Sequence, residues 1–218
     1  MLDIIVRNYA VLLGGLGMTL TLSLVAIAAG GLLGFVIALG LRARSALITA
    51  PCRLYRSFWR GTPIFVQLLM IFYLLPEIGM TVAPVVAAVL ALAMNSAAFQ
   101  AEIFRAGLAA IPAGQVEAAR ILGIGRVRTL LRIELPQMLR LVLPALVSEI
   151  IAIVKNSSLV SVIAVTELTR RGQQIASTTF RPLEVYILVG LLYLAVNLVL
   201  ARAGQHAERR LARSGALQ

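Results

Sequence analysis

This 218-residue chain has almost no lysine, histidine, cysteine or aspartate: Lys155, His206, Cys52 and Asp3 are the sole examples. Each scarcity closes a class of function. Lys155 follows Val154, so no Gly-Lys pair exists, and a phosphate loop of the form G-x4-G-K-[ST] needs that pair. The chain therefore lacks a nucleotide site of this kind. Cys52 has no partner for an internal disulfide. His206 lies in a polar C-terminal stretch, which excludes a histidine metal cluster or a Ser-His-Asp triad at membrane depth. Asp3 alone cannot supply the paired aspartates of an intramembrane carboxylate protease. Charge itself is scarce, at 13% of residues, against about 25% in soluble domains.

In place of charge there is apolar side chain, 60% of the residues, where soluble domains average roughly 45–50%. That composition argues an all-α integral membrane protein. The net charge of +11 would suggest a nucleic-acid partner in a soluble chain. Here the arginines gather at the ends of apolar runs, as membrane anchors do, and form no continuous basic face, so no nucleic acid is expected. No internal repeat and no Gly/Ser or Pro linker is visible, which predicts one domain.

Five spans are expected from runs of about 20 apolar residues, at about 13–41, 57–76, 81–103, 141–165 and 185–202. They form one domain, 13–202, between an N-terminal segment, 1–12, and a basic tail, 203–218. Residues 1–7 lack a basic region before an apolar core, so an uncleaved start is expected. Gly30 and Gly34 form a GxxxG pair. It suits close helix packing, and equally the ordinary glycine usage of membrane helices. The second uncharged run, 61–76, is short, which puts the span's start near Ser57 with Arg60 snorkelling. The third span carries Asn95, Ser96 and Gln100. The fourth carries Pro144, a kink site, with Glu149, Lys155, Asn156 and Ser157. A charge at a span centre costs about 2.5–3.5 kcal/mol, so such groups face a bundle interior or a wet cavity. These seven polar residues are the candidates for a solute path facing a subunit interface; structural pairing with a neighbouring helix is the plainer alternative. Residues 167–181 read as a polar loop.

The longest polar interruption is EAARILGIGRVRTLLRIELP, residues 117–136. Ala118, Ala119, Ile121 and Leu122 continue a helix, and Gly123 suits a left-handed C-terminal cap. A second short helix is expected over 126–134, stopped by Pro136. Glu117 fits either the dipole of a helix N-terminus or a contact with another protein. Two short helices between membrane spans suit a docking element at the membrane surface.

The same residues carry a family resemblance. Glu117-Ala118-Ala119, Gly123 after three residues, then Ile133, Leu135 and Pro136, resemble the EAA loop of bacterial ABC importer permeases. The segments YRSFWRGTPIFVQ (55–67), AFQAEIFRAG (98–107), KNSSL (155–159), Gly114-Gln115, Pro136-Gln137 and Glu208-Arg209-Arg210 are similar to the polar amino acid uptake branch. The resemblance covers nearly the whole chain. It implies a five-helix type I importer transmembrane domain with a cytoplasmic coupling helix in the EAA loop, 113–136. ATPase coupling would then fall to Gly114, Glu117, Ala118, Ala119, Gly123, Ile133, Leu135 and Pro136. It also implies alternating access for a polar amino acid or related opine. No cofactor is expected on this chain, with ATP and Mg on a partner ATPase. The implied partners are an ATPase dimer, a second permease subunit and a periplasmic or lipid-anchored solute-binding protein, in membrane lipid.

Arginine bias sets the expected orientation in a bacterial inner membrane. The 42–60 connector, the central stretch with its flanks and the tail hold most of the arginines and share one side of a five-span chain. That side is the cytoplasm, with the N-terminus outside and the C-terminus inside. A stand-alone secondary carrier or channel would need its own coupling-ion site, and five spans without a repeat are few for one. An intramembrane enzyme is disfavoured by the missing histidine and aspartates.

Overall fold

Apolar runs this long must satisfy their backbone internally, and the computed structural model does so with helices alone; it describes the backbone of residues 2–215 and the side chains of residues 3–210. Helix α1 (Leu2–Leu41) has 40 residues. At 1.5 Å per residue it is about 60 Å long, twice a bilayer's hydrocarbon core of about 30 Å. The segment expected to precede the first span is its opening turns, Met1 lying outside the described residues. Helices α2 (Ala46–Gly61) and α3 (Ile64–Glu77) meet at 110° across Thr62 and Pro63. Pro63 has no N–H to continue the ladder and holds Thr62 extended, at φ −114 and ψ 148. The region expected as one helical span from Ser57 is therefore two helices in a bent pair.

Helix α4 (Pro84–Ala109) is the centre of the bundle: 61% of its most apolar window is buried, against 17–28% for the other three long helices. Its alanines explain this. Ala87, Ala88, Ala91, Ala97, Ala98 and Ala101 are fully buried, and small side chains let helix backbones approach. The GxxxG pair of α1 meets this face. A Cβ on Gly30 would lie 3.0 Å from the Ala93 carbonyl oxygen, and one on Gly34 would lie 2.8 Å from that of Ala97. Of the two sequence readings, close packing is what the structure contains.

Helix α5 (Ala113–Ile121) follows, then α6 (Arg126–Thr129), a π turn (Leu130–Glu134) and α7 (Leu135–Asn156) without a break. The expected stop at Pro136 does not occur. The wide turn, with Leu135 N–H donating to the Leu130 carbonyl, loosens the ladder where the proline ring would otherwise crowd it. The last turn of α7 tightens into a 3-10 segment (Ser157–Ile163) ended by Ala164 at φ 63.

Residues 167–181, expected as a loop, instead hold helix α8 (Leu168–Thr179). Helix α9 (Pro182–Gly215) runs through the fifth span into the expected tail; the Arg213 side chain and residues 216–218 lie outside the described residues. Among the described residues, four helices are long and apolar enough to cross a membrane, and the bent α2–α3 pair brings the candidate spans to five if it counts as one. Leu24, Leu32 and Val36 on α1 and Leu194 and Val199 on α9 are exposed, as lipid-facing residues are.

Candidate functional site

The coupling stretch starts with α5, whose one buried residue is Ala119. Ile121 and Leu122, 85% and 76% exposed, stand at its free end. The helix closes in a Schellman turn. Gly123 takes φ +72, its N–H donates to the Arg120 carbonyl at 3.0 Å, and the Ile124 N–H donates to the Ala119 carbonyl at 2.9 Å. Nothing lies within 4 Å of a Cβ on Gly123 or Gly114. Glycine at 123 thus serves backbone conformation, not space. Glu117 is the fifth residue of α5, beyond its first turn, so the dipole reading lapses. It is exposed, as is Ala118, and makes no ion pair among the described residues.

Two side-chain links fix this element to the spans. Gln137 Nε2 donates to Gln115 Oε1 at 2.7 Å, joining α7 to α5, and to the Ile133 carbonyl at 2.8 Å. Glu134, buried in the π turn, pairs with Arg42 just past the end of α1 at 2.8 Å. Ile133 and Leu135 are half-buried, Leu135 against the core that Met138 and Val142 form with α4. Pro136 is exposed.

The seven solute-path candidates separate into three places. Ser96 Oγ donates to Glu149 Oε1 at 2.8 Å, and Gln100 Nε2 donates to Ser96 Oγ at 3.0 Å and to the Ile27 carbonyl of α1 at 3.1 Å. Asn95 belongs elsewhere. Its Nδ2 donates to Gln67 Oε1 at 2.8 Å, and Gln67 Nε2 donates to Thr62 Oγ1 at 2.7 Å and to the Trp59 carbonyl at 2.9 Å. That set closes the α2–α3 bend. The third place is the end of α7. Lys155 is exposed, Asn156 is half-buried, and Ser157 is buried with Oγ on the Val154 carbonyl at 2.8 Å. Asn95, Ser96, Gln100 and Ser157 are buried and hydrogen-bonded within the chain itself. Desolvation cost, the reason for suspecting them, is met by partners within one chain. Lys155 and the edge-buried Glu149, 9% exposed, sit about 9 Å apart along α7.

Sequence reasoning missed Glu167. It is fully buried and caps α8, accepting from the Thr169 and Arg170 N–H groups at 2.8 Å each. Tyr193 of α9 donates to it at 2.8 Å and Thr19 of α1 at 3.4 Å. Glutamate is not among the favoured cap residues, so the stretch gave no start signal beyond a carboxylate preceding a polar run.

Comparison with known proteins agrees across nearly the whole chain. Residues 10–213 match the family described as "Binding-protein-dependent transport system inner membrane component". The chain is 38% identical over 205 residues to the octopine transport system permease protein OccM of Rhizobium radiobacter, covering 90% of this chain and 84% of that one. It is 37% identical over 201 residues to the arginine transport system permease protein ArtQ of Bacillus subtilis, covering 92% of each. A crystal structure of an amino acid ABC transporter with histidines superposes at a TM-score of 0.87 with 39% identity, over 94% of this chain and 96% of that one. The MetNI methionine ABC transporter shares the fold at a TM-score of 0.81 and 22% identity, over 94% of this chain and 98% of that one.

Proposed function

The chain belongs to the family of binding-protein-dependent transport system inner membrane components, and from that premise we propose that α5 and its Schellman turn dock on the ATPase and drive the spans. The chain is a permease subunit of an ABC importer that translocates a polar amino acid or a related opine. It is a multi-pass helical membrane protein that works with ATPase and permease partners.

The observation that carries the docking reading is the geometry of α5. It presents Ile121 and Leu122 outward and is ended by Gly123 in a left-handed turn. Its hydrogen bond to Gln137 and the Arg42–Glu134 pair give a displacement of α5 two routes into the bundle, through α7 and through α1. ATP and Mg bind on two partner ATPase subunits. Their closure draws two copies of this element together, one from each of two permease subunits, and opens the path outward to a solute-binding protein. Hydrolysis reverses it. Gly114, Glu117, Ala118, Ala119, Gly123, Ile133, Leu135 and Pro136 make up the coupling surface and its support.

The solute path runs along α7, where Lys155 offers an exposed cation to a solute carboxylate and Glu149 offers a carboxylate at the edge of its buried cluster. Asn156 lines the same end. Arginine bias supports an inner-membrane orientation with α5 and the end of α9 in the cytoplasm and the N-terminus outside.

The test is a Gly123→Asp, Glu117→Lys double variant. No atom crowds the Gly123 Cβ position, so the substitution costs about 1–2 kcal/mol of backbone strain and no clash. Insertion and folding survive, while ATPase association weakens and solute-stimulated ATP hydrolysis is lost. A double variant that binds its ATPase and transports at the normal rate overturns the docking reading.

A further inference from the structure

Where α1 leaves the bilayer, an open groove of about 870 Å³ lies between its end, the α1–α2 turn and the coupling element. Four arginines line it: Arg42, Arg44, Arg120 and Arg126. The one acidic group there, Glu134, is already held by Arg42 at 2.8 Å. Arg44, Arg120 and Arg126 are exposed and make no ion pair among the described residues. The groove thus has an uncompensated charge of three. Apolar residues, among them Leu39 and Ile48, line it beside the arginines. On the two helices that contribute to it, Leu47 and Leu54 of α2 are 88% and 72% exposed and Val36 of α1 is 64% exposed, side chains suited to acyl chain rather than water.

We propose that this groove is a binding site for an anionic phospholipid, its phosphate held by Arg44, Arg120 and Arg126 and its chains lying along α1 and α2. Guanidinium groups bind phosphate oxygens through paired N–H donors, and basic pockets between membrane helices on the cytoplasmic side suit such headgroups. Apolar lining beside the arginines, with exposed apolar side chains on the same two helices, favours a membrane lipid over a soluble phosphate. The groove shares Val116, Arg120 and Ile124 with α5 and its turn, while Ile121 and Leu122, the exposed end of α5, do not line it. A lipid here would bridge α1, α2 and the coupling element, so the surrounding membrane would bear on the part that transmits ATPase closure. The inference rests on the membrane-spanning and cytoplasmic placement of these ends.

The test uses the full-length permease in its complex with the ATPase, delipidated in detergent and titrated with phosphatidylglycerol or phosphatidylcholine under native mass measurement. The wild-type complex prefers phosphatidylglycerol. In Arg44→Gln, Arg120→Gln, Arg126→Gln that preference falls by roughly tenfold or more, each arginine near an anionic headgroup contributing about fivefold. Arg44→Gln alone, outside the coupling element, gives a smaller drop and serves if the triple variant assembles poorly. Arg170→Gln, Arg171→Gln on α8 leaves the preference unchanged. An intact triple variant with undiminished phosphatidylglycerol binding overturns the proposal. So does a triple variant that sheds its ATPase while its permease still binds the lipid, since the groove is then a protein contact. Binding is read without ATP or solute, so a failure of transport would bear on the coupling reading and not on this one.

Discussion

Glu149 and Lys155 are one helix's two intramembrane charges in different surroundings. Glu149 has one oxygen on the Ser96 hydroxyl, while Lys155 is exposed at the far end of α7. Glu149→Gln keeps an acceptor for Ser96 and removes the charge; Lys155→Met keeps the length and removes the charge. If the two line the path, each lowers solute uptake several-fold in normally inserted protein, with Lys155→Met acting mainly on apparent affinity. Unchanged uptake kinetics in both would remove them from the path. Gly34 supports a sharper expectation, because the atoms it would meet are the Ala97 carbonyl at 2.8 Å and the Ala101 nitrogen at 3.1 Å. Backbone cannot swing aside as a side chain can. Gly34→Val should cost about 1–3 kcal/mol through overpacking, seen as a lower thermal midpoint in detergent. Gly14→Val, with nothing within 4 Å of its Cβ, should change it little.

At the scale of elements, the bend between α2 and α3 is bridged by Gln67. Its amide fills the gap left by Pro63, donating to the Trp59 and Thr62 carbonyls at 2.9 and 3.0 Å and accepting from Asn95. Gln67→Leu strands those groups in a buried site at about 1–3 kcal/mol. Gln67→Leu with Asn95→Leu should cost less than the sum of the singles, and a double-mutant cycle on thermal unfolding measures the difference. Additivity would mean the two amides act independently. The same elements show what was legible. Apolar runs gave the spans, since burial in lipid follows composition. The EAA spacing placed the helix that Gly123 ends, since only special backbone tolerates that turn. Pro136 misled because a π turn three-dimensionally accommodates a proline that local rules read as a stop. Helix α8 was missed because its cap, Glu167, is completed by Thr19 and Tyr193, each far off in sequence. The solute-path candidates were found as polar residues in spans, yet whether each meets solute or a neighbouring helix is set by contacts such as Ser96 with Glu149 that no single segment reveals.

For the whole molecule, one chain buries most of its seven polar candidates against itself and leaves only Lys155 among them exposed. A continuous path then needs a second permease subunit, and native mass measurement should find two permease and two ATPase subunits in the active complex; a single permease chain would contradict this. Orientation is tested on the same protein, once Cys52 is replaced by alanine, by single cysteines and an impermeant thiol reagent. The reporter sites follow from packing. Gly204, in the expected tail, is buried, and a side chain there would meet Val147 Cγ1 at 2.5 Å. Gln205, exposed one residue on, reports the same end without that clash. Ser177, exposed on α8, reports the other side; its hydroxyl only returns to the Gln173 carbonyl, so cysteine there disturbs nothing between helices. The arginine bias predicts that Ser177→Cys labels from outside intact spheroplasts and Gln205→Cys labels only after lysis. The α8 and α9 ends lie on opposite sides of the fifth span, so the two reporters must give opposite answers if that span crosses. Labelling of Gln205→Cys but not Ser177→Cys from outside would invert the orientation, and with it the cytoplasmic placement of the coupling element; labelling of both from outside would show that α9 does not cross.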